Sequence, residues 1–199
     1  MSNLKPYLEK VATALVANAS TFEQLDSVAG DGDLGITAGK IADGMRNGIA
    51  GLTGDLKADL MFIGREISKT APSTFGTLVA TGFVRASAAV VPGGDSTENL
   101  VRALNAAYDG VAARGKSQLG ERTLLDALHP AIESLKSATS LEVGLHGAAK
   151  AARTGAQATA AMVPKHGRAG WIGERASGNE DAGATVIAVA FESLIELQK

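Results

Sequence analysis

Apolar residues recur along most of the chain at intervals of three and four, which is the spacing of one face of an α-helix. Segments that alternate strictly between apolar and polar residues, as half-buried strands do, are lacking. The pattern therefore predicts an all-α protein whose helices are separated by turns rich in Gly, Pro and Asp. Helices are predicted over residues 6–18, 21–25, 35–49, 56–69, 78–91, 96–113, 122–137, 141–162 and 184–198.

Some of these helices carry more specific expectations. The helix over 35–49 should turn Ile36, Ile41 and Met45 inward. The helix over 78–91 is apolar almost all round, which is typical of a central helix. Pro130 lies inside the helix over 122–137 and should kink it. No internal repeat and no linker interrupts the pattern, so residues 1–199 are interpreted as one domain.

A Gly-rich stretch over residues 164–183 shows no helical periodicity. About twenty residues without regular structure in a compact domain usually indicate a functional loop or a lid. Trp171 lies within it and is interpreted as a lid or partner contact, with a packed anchor of the loop as the alternative.

The composition narrows the classes of function. Apolar residues make up 45% of the chain and aromatic residues 4%, so the core should consist of closely packed Ala, Leu, Val and Ile. The formal net charge of −2, without any Lys/Arg run, argues against nucleic acid as a partner. The absence of Cys excludes disulfides and thiolate metal sites. No window approaches the roughly 18 apolar residues of a membrane span and no signal-peptide pattern is present, so we expect no membrane association and a cytoplasmic protein.

The segment Asp26–Gly35 combines three aspartates, Asp26, Asp31 and Asp33, with three glycines. Three neighbouring carboxylates repel one another unless a cation neutralises them or they point apart into solvent. Mg²⁺ is typically held by one or two carboxylates together with water and substrate phosphate. The predicted helix that follows would direct its unpaired N–H groups at the same place, which favours phosphate. The segment therefore indicates a magnesium–phosphate site.

Other interpretations of this segment have different requirements. An EF-hand loop starting at Asp31 would need Gly at its sixth position and Glu at its twelfth, where the chain has Ile36 and Ala42. The glycine spacing over 30–35 matches a dinucleotide fingerprint, but no convincing strand precedes it. A solvated acidic turn that caps the next helix remains an open alternative.

A second candidate loop, residues 70–77, is rich in hydroxyl groups and leads directly into a predicted apolar helix. A small, hydroxyl-rich loop at the start of a buried helix is a phosphate-binding arrangement. The alternative is a plain helix N-cap supplied by Ser73 or Thr74.

Three motifs in sequence order resemble those of a known family. They are Leu-Asp-x-x-x-Gly-Asp-x-Asp-x-Gly from Leu25, Arg-Thr-x-x-Asp-x-x-x-Pro from Arg122, and Gly-Arg-Ala-x-x-x-Gly-Glu-Arg-x-x-Gly-x-x-Asp-x-Gly-Ala from Gly167. Together they resemble the nucleotide-binding L subunit, or L domain, of dihydroxyacetone kinases. The resemblance runs from about residue 5 to the C-terminus.

The resemblance implies an antiparallel barrel of about eight helices with ADP or ATP bound at one end. It implies two Mg²⁺ ions held by Asp26, Asp31 and Asp33, and phosphoryl transfer carried by the metal and Arg168 without another assigned catalytic residue. The implied nucleotide contacts are Leu34, Gly35, Ile36, Thr37, Ser73, Thr74, Phe75, Gly76, Gly115, Leu124, Arg168, Asp181, Ala182 and Gly183.

The chain departs from the family pattern at two places. Leu34 stands where family members commonly carry His, and the segment Pro72–Gly76 stands where they often read Gly-Gly-x-Ser-Gly. Both departures leave the aspartates intact and bear on the preference for substrate or phosphoryl donor.

Several other polar residues have a structural and a functional interpretation. Arg168 and Arg175 contact nucleotide or pair with Glu174, Glu180 or Asp181. Asp126 supports the site from behind or faces solvent. Of the three histidines, His166 borders the Gly-rich loop and has the stronger case for a ligand contact, whereas His129 and His146 are interpreted as structural.

The resemblance also implies the activity and its partners. The chain would transfer a phosphoryl group to dihydroxyacetone or a related ketose such as erythrulose, held by a separate K subunit. The donor is either exchangeable ATP or a bound ADP that a phosphotransferase-system protein rephosphorylates. A homodimer or hetero-oligomer is expected. The alternatives are a non-catalytic nucleotide-sensing or regulator-binding subunit and a helical interaction module with a degenerate site.

Overall fold

A computed structural model of the chain describes residues 4–94, 96–167, 169–172 and 178–195. Its helices are α1 (Lys5–Ala17), α2 (Ala19–Ala29), α3 (Leu34–Ile49), α4 (Leu56–Thr70), α5 (Thr74–Ala89), α6 (Ser96–Gly115), α7 (Leu125–Lys136), α8 (Leu141–Ala158), α9 (Ala169–Ile172) and α10 (Ala182–Ile195). A 3₁₀ turn, Thr159–Ala161, follows α8. No strand occurs in these ranges, so the predicted all-α class is confirmed. Among the same residues no helix combines the length and apolarity needed to cross a membrane.

Eight of these helices form a closed ring. Each contacts the next in the order α1, α3, α4, α5, α6, α7, α8 and α10, and α10 returns to contact α1. Short connections make neighbours such as α4 and α5 antiparallel. The closed contact order agrees with the barrel that the family resemblance implies. Helix α2 lies outside this order and packs on α3 and α10.

The interior of the ring is filled mainly by two large clusters of buried side chains, beside a smaller third cluster around Leu60 and Ala103. One cluster joins α1, α3 and α4 around Ile41, Ile63 and Ile67, and the other joins α7, α8 and α10 around Leu125 and Ile132. The ring of Phe75, in the first turn of α5, packs against both clusters. Because Phe75 links the two halves of the interior, the start of α5 is fixed relative to both.

Small residues allow the helices to approach closely. A methyl group built on Gly44 of α3 would lie 2.7 Å from the Ile67 Cα of α4, which is closer than carbon atoms can approach. Gly64 of α4 similarly faces the side chains of Val84 and Phe83 in α5 at 3.0 and 3.2 Å. The close helix packing that the composition predicts is therefore found where the helices cross.

Several predicted helix boundaries were wrong, including the start of α7 and the end of α8, and two of them bear on the site. Helix α2 runs to Ala29 instead of residue 25, so Asp26 lies in its last turn. Helix α5 begins at Thr74 instead of residue 78, because Ser73 caps it by accepting a hydrogen bond from the Gly76 N–H at 3.0 Å. The hydroxyl-rich stretch is therefore largely the beginning of the helix.

Some expectations about individual residues also need correction. Ile41 and Met45 are buried as predicted, but Ile36 is 62% exposed, because the buried face of α3 follows Ala38, Ile41, Ala42 and Met45. Helix α5 is a member of the ring and not its centre; its apolar surface is shared between α4 and α6. The stretch over 164–183 contains α9, where no helix was expected.

Helix α7 continues through Pro130 as one helix.

Candidate functional site

A cavity of about 1000 Å³ opens at one end of the ring. It is bounded by the loop between α2 and α3, the first turns of α3 and α5, the connection from α6 to α7, and the segments on either side of α9. Several segments that are distant in sequence thus meet here. The lining residues include Asp26, Asp31, Asp33, Leu34, Thr37, Ser73, Thr74, Phe75, Leu78, Arg114, Gly115, Ser117, Arg122, Thr123, Leu124, His166, Glu180, Asp181, Ala182 and Gly183.

The acidic end of the cavity is formed by Asp26, Asp31 and Asp33, which each offer one carboxylate oxygen within 4.8 Å of the others. Asp26 also organises the loop, because its Oδ2 accepts hydrogen bonds from the backbone N–H groups of Asp33 at 3.0 Å and Leu34 at 3.2 Å. Gly32 has φ +72°, a conformation that favours glycine. The loop therefore draws three carboxylates together, and this set of hard oxygen ligands fits Mg²⁺.

Two helix N-termini come together beside this cluster. Thr37 in the first turn of α3 donates from Oγ1 to Ser73 Oγ, the N-cap of α5, at 3.4 Å. Backbone N–H groups at the start of a helix have no partner within it and carry partial positive charge. The cluster of carboxylates and the paired N-termini thus lie next to each other, as a cation and an anionic group bound together would require.

The structure separates the predicted phosphate contacts into two groups. Leu34, Thr37, Ser73, Thr74 and Phe75 line the cavity. Three others do not lie among its lining residues: Gly35 packs below α2, where a methyl group would meet Ala19 and Glu23; Gly76 is buried against Ala71; and the Ile36 side chain points to solvent. A contact from Gly35 or Gly76 would have to come from the backbone.

The opposite end of the cavity is apolar and narrow. A methyl group built on Gly183 would lie 3.1 Å from both Phe75 Cε2 and Asp181 Oδ2, and 3.6 Å from Leu124 Cβ. One built on Gly115 would lie 3.6 Å from Leu78 Cδ2. The two glycines therefore leave a gap bordered mainly by apolar side chains, with polar atoms of Asp181 and Ser117 at its edge, and such a gap suits a ring system with a polar edge.

Arg122 was not singled out from the sequence, although it lies in one of the quoted motifs. It is only 4% exposed, has φ +57° and lines the cavity. Its Nη2 donates to the Asn179 carbonyl at 2.8 Å, so it ties the α6–α7 connection to the segment before α10. Burial lowers the pKa of Arg122, and the nearby charge of Asp181 opposes that change. Burial and a contact across 57 residues of sequence could not be inferred from the local pattern.

Asp126 lies beneath the cavity and shapes one of its walls. It is 4% exposed, and its two carboxylate oxygens accept from the backbone N–H groups of Gly120 at 2.6 Å and Thr123 at 2.8 Å. Of the two alternatives for Asp126, the structure agrees with support from behind and not with a solvent-facing side chain.

Asp181 begins the last wall of the cavity. Its Oδ2 accepts from the Ala184 N–H at 2.8 Å, and its own N–H donates to the buried hydroxyl of Thr159 at 2.7 Å. Burial raises the pKa of Asp181 from 3.8 to about 6, although the hydrogen bond from Ala184 and the charge of Arg122 act in the opposite direction. This carboxyl is therefore held in an environment that disfavours its charge.

The remaining candidates differ in their positions. His166 lines the cavity and its Nε2 contacts Glu121, whereas His129 packs its ring against Tyr108 with centroids 5.6 Å apart and His146 is exposed on α8. Glu180, which was considered as a partner for an arginine of the loop, lies 3.5 Å from Arg153. Arg168, Arg175, Glu174 and the side chain of Trp171 lie outside the described part of the chain.

An all-α ring with acidic residues and helix N-termini at one end of its cavity defines a helical protein with a candidate metal–phosphate site. Comparison with known proteins identifies the family. Residues 28–196 match the family model of the DAK2 domain. The chain belongs to the DAK2 domain family, and the resemblance to the L subunit of dihydroxyacetone kinases is confirmed. The match begins after Asp26, so it does not cover the first of the three aspartates.

Curated relatives include separate subunits and longer kinases. The chain is 32% identical over 179 residues to the ADP-binding subunit DhaL of the PEP-dependent dihydroxyacetone kinase of Escherichia coli K12, covering 85% of this chain and 84% of that protein. It is 29% identical to a subunit of the same description from Listeria innocua, covering 91% and 88%. It is 28% identical to the L-erythrulose 1-kinase of Mycolicibacterium smegmatis, covering 98% of this chain but 35% of that protein.

A solved structure shows the same fold. The dihydroxyacetone kinase of C. freundii in complex with AMP-PNP and Mg²⁺ matches 99% of this chain and 34% of its own, with a TM-score of 0.79 at 26% identity. The chain thus spans most of the length of the separate subunits and about a third of the longer kinases.

Proposed function

We propose that the chain is the Mg²⁺- and ADP/ATP-binding, phosphoryl-transferring subunit of a dihydroxyacetone-type kinase, which acts on a short ketose held by a separate K subunit. The observation that carries this proposal is the juxtaposition of Asp26, Asp31 and Asp33 with the N-termini of α3 and α5 at one end of a cavity that is apolar at the other. The names of the subunit relatives and of the AMP-PNP and Mg²⁺ complex support it.

The two ends of the cavity assign an orientation to the nucleotide. Its phosphates would lie against the first turns of α3 and α5, where the partial positive charge of the two helix N-termini favours them. Its base would lie between Leu78, Gly115 and Leu124, where the gap is flat and apolar. The segment over 181–183 would form the far wall. The reverse orientation would bring phosphates to apolar side chains and leave the carboxylates without a counter-charge.

The three aspartates would hold two Mg²⁺ ions, which supply neutralisation of the charge on the transferred phosphoryl group. The role of the chain's own residues is to position the metal and the phosphates and to stabilise their charges. Asp26 fixes the loop through its hydrogen bonds to Asp33 and Leu34, so the other two carboxylates are preorganised at one place. Arg168 is proposed as a further cation at the phosphates. Little covalent chemistry is required of a protein in phosphoryl transfer, so such positioning accounts for the rate.

The surface around the opening is suited to a protein partner. Four large exposed apolar side chains, those of Val28, Ile36, Leu119 and Val163, each lie within three residues of a residue that lines the cavity. Apolar side chains around the mouth of a site favour a protein that covers it. We assign this rim to the K subunit, because the acceptor hydroxyl must reach the acidic end of the cavity.

The donor and the setting follow from the relatives' names. PEP-dependent and PTS-dependent kinases are named among the subunit relatives, which favours a bound ADP rephosphorylated by a phosphotransferase-system protein. Exchangeable ATP is the other donor. The L-erythrulose 1-kinase among the relatives extends the proposed acceptors to ketoses such as erythrulose. A cytoplasmic hetero-oligomer with the K subunit, or a homodimer, is proposed.

Calorimetric titration of ADP with and without Mg²⁺ tests the proposal. Nucleotide bound during purification is first removed and identified by denaturing extraction. Binding should require Mg²⁺ and should be lost in the double variant Asp31→Asn/Asp33→Asn. The matched control is Asp43→Asn/Asp109→Asn, which removes two exposed helix carboxylates outside the cavity lining and should bind as the original chain does. Absence of ADP binding to the metal-resupplied original chain would refute the site. Tight binding without turnover in the presence of a K-type partner would instead indicate a nucleotide-sensing subunit.

A further inference from the structure

Ser117 is a mostly buried residue whose hydroxyl lies at the cavity. The residue is 8% exposed and belongs to the cavity lining. Its backbone N–H donates to the Ala112 carbonyl at 3.1 Å, but within the described chain its side-chain oxygen makes no hydrogen bond. The oxygen is accessible from the cavity, so water or a ligand can supply its hydrogen-bond partner. What occupies the cavity is therefore expected to contact Ser117 Oγ.

The end of α6 fixes where this hydroxyl lies. Lys116 adopts a left-handed conformation with φ +52°, and the bond from Ser117 N–H to Ala112 spans the last turn, which is a standard way of ending a helix. Ser117 is thus attached to a rigid helix end.

The surroundings of the neighbouring Gly115 show which side chains lie close to the Ser117 hydroxyl. A methyl group built on Gly115 would lie 3.1 Å from Ser117 Oγ and 3.6 Å from Leu78 Cδ2. The hydroxyl therefore stands at the edge of the flat apolar gap. Two of the lining hydroxyls near the phosphate end are engaged with protein groups, since Thr37 donates to Ser73 and Ser73 accepts from the Gly76 N–H.

We infer that Ser117 Oγ hydrogen-bonds the polar edge of the nucleotide's base and thereby determines base preference. This inference rests on the proposed function. A purine has apolar faces, which Leu78 and Leu124 can cover, and an edge of nitrogen atoms that needs hydrogen-bond partners when it is buried. A serine hydroxyl can donate to a ring nitrogen or accept from an exocyclic amino group. A site that pairs a polar edge discriminates against ligands that lack it, because its own group is then left without a partner.

The test compares the chain with Ser117→Ala by calorimetry, using the Mg²⁺ complexes of ADP, CDP and inorganic pyrophosphate. ADP affinity should fall roughly three- to tenfold, as expected for a neutral hydrogen bond. The ratio of ADP to CDP affinity should fall with it, because the smaller pyrimidine ring brings its polar edge less far towards the hydroxyl. Pyrophosphate binding should not change, because pyrophosphate carries no base. The control Ser137→Ala alters an exposed serine after α7 and should change none of the three.

Each other outcome has a definite meaning. Equal losses of affinity for ADP and pyrophosphate would show that Ser117 only supports the fold of the cavity wall. Unchanged ADP affinity would show that its hydroxyl does not contact the base. Either result overturns the inference while the proposed function stands. If the original chain binds neither ADP nor pyrophosphate, with or without Mg²⁺, the proposed function itself fails. Melting temperatures of both serine variants identify any loss of folding.

Discussion

The carboxyl of Asp181 provides a test of the electrostatics of the cavity that needs no ligand. Its pKa is raised from 3.8 to about 6 mainly by burial. A group with a higher pKa in the folded than in the unfolded chain binds more protons in the folded state between those two values, so its contribution to stability is full at low pH and is lost as the pH rises through about 6. The whole change corresponds to about 3 kcal/mol. About 2 kcal/mol of it lies between pH 4.5 and pH 8.

Asp181→Asn removes this titration while keeping an oxygen that can accept from the Ala184 N–H. We expect the free energy of unfolding of the variant, minus that of the original chain, to increase by about 2 kcal/mol from pH 4.5 to pH 8. Urea denaturation followed by circular dichroism in nucleotide-free, metal-free buffer measures both. Other carboxylates titrate in both proteins and cancel in the difference. A difference that stays constant with pH, or that decreases as pH rises, would refute the environment described for Asp181.

Two further predictions concern packing and loop support. Gly35→Ala should lower the free energy of unfolding by about 1–3 kcal/mol, because the new methyl group would overlap the Ala19 carbonyl of α2. Its matched control is Gly39→Ala in the same helix. The methyl group added there would have no neighbour within 4 Å, so this variant should raise the free energy of unfolding by about 0.5–1 kcal/mol. Equal thermal shifts for the two variants would contradict the close approach of α2 to α3. Asp126→Ala should cost about 1–3 kcal/mol in urea denaturation, because two backbone N–H groups lose their acceptor, whereas an unchanged midpoint would show that the α6–α7 connection is held by other contacts.

The sequence predicted the presence of the helices better than the residues at which they begin and end. The phase of apolar residues located most of the helices, because burial of one face leaves a periodic record. The start of α5 was misplaced because Ser73 and Thr74 could equally belong to a loop, and only the bond between Ser73 Oγ and Gly76 decides between them. Ile36 was predicted inward because it is apolar, yet a residue in the first turn of a helix at a cavity mouth can remain exposed.

The candidate site was partly predictable. The aspartates at 26, 31 and 33 are close in sequence, so their clustering follows from the loop that connects them. Arg122 and Ser117 gave no comparable signal, because their burial depends on contacts with segments that are distant along the chain. The contact of Arg122 with Asn179 forms only once the ring has closed, and the position of Ser117 near Leu78 requires α6 to pack on α5.

Closure of the ring by α10 has a consequence for how the protein is made. The last described helix packs on α1 as well as on α8, so the part of the buried face of α1 that α3 does not cover stays exposed while the intervening chain is synthesised. At about 5–20 residues per second, the chain from α1 to α10 takes on the order of ten seconds or more to emerge from the ribosome. During that time the nascent chain exposes an apolar stripe. Chaperones that shield such a stripe should therefore influence the yield of this protein more than its final stability.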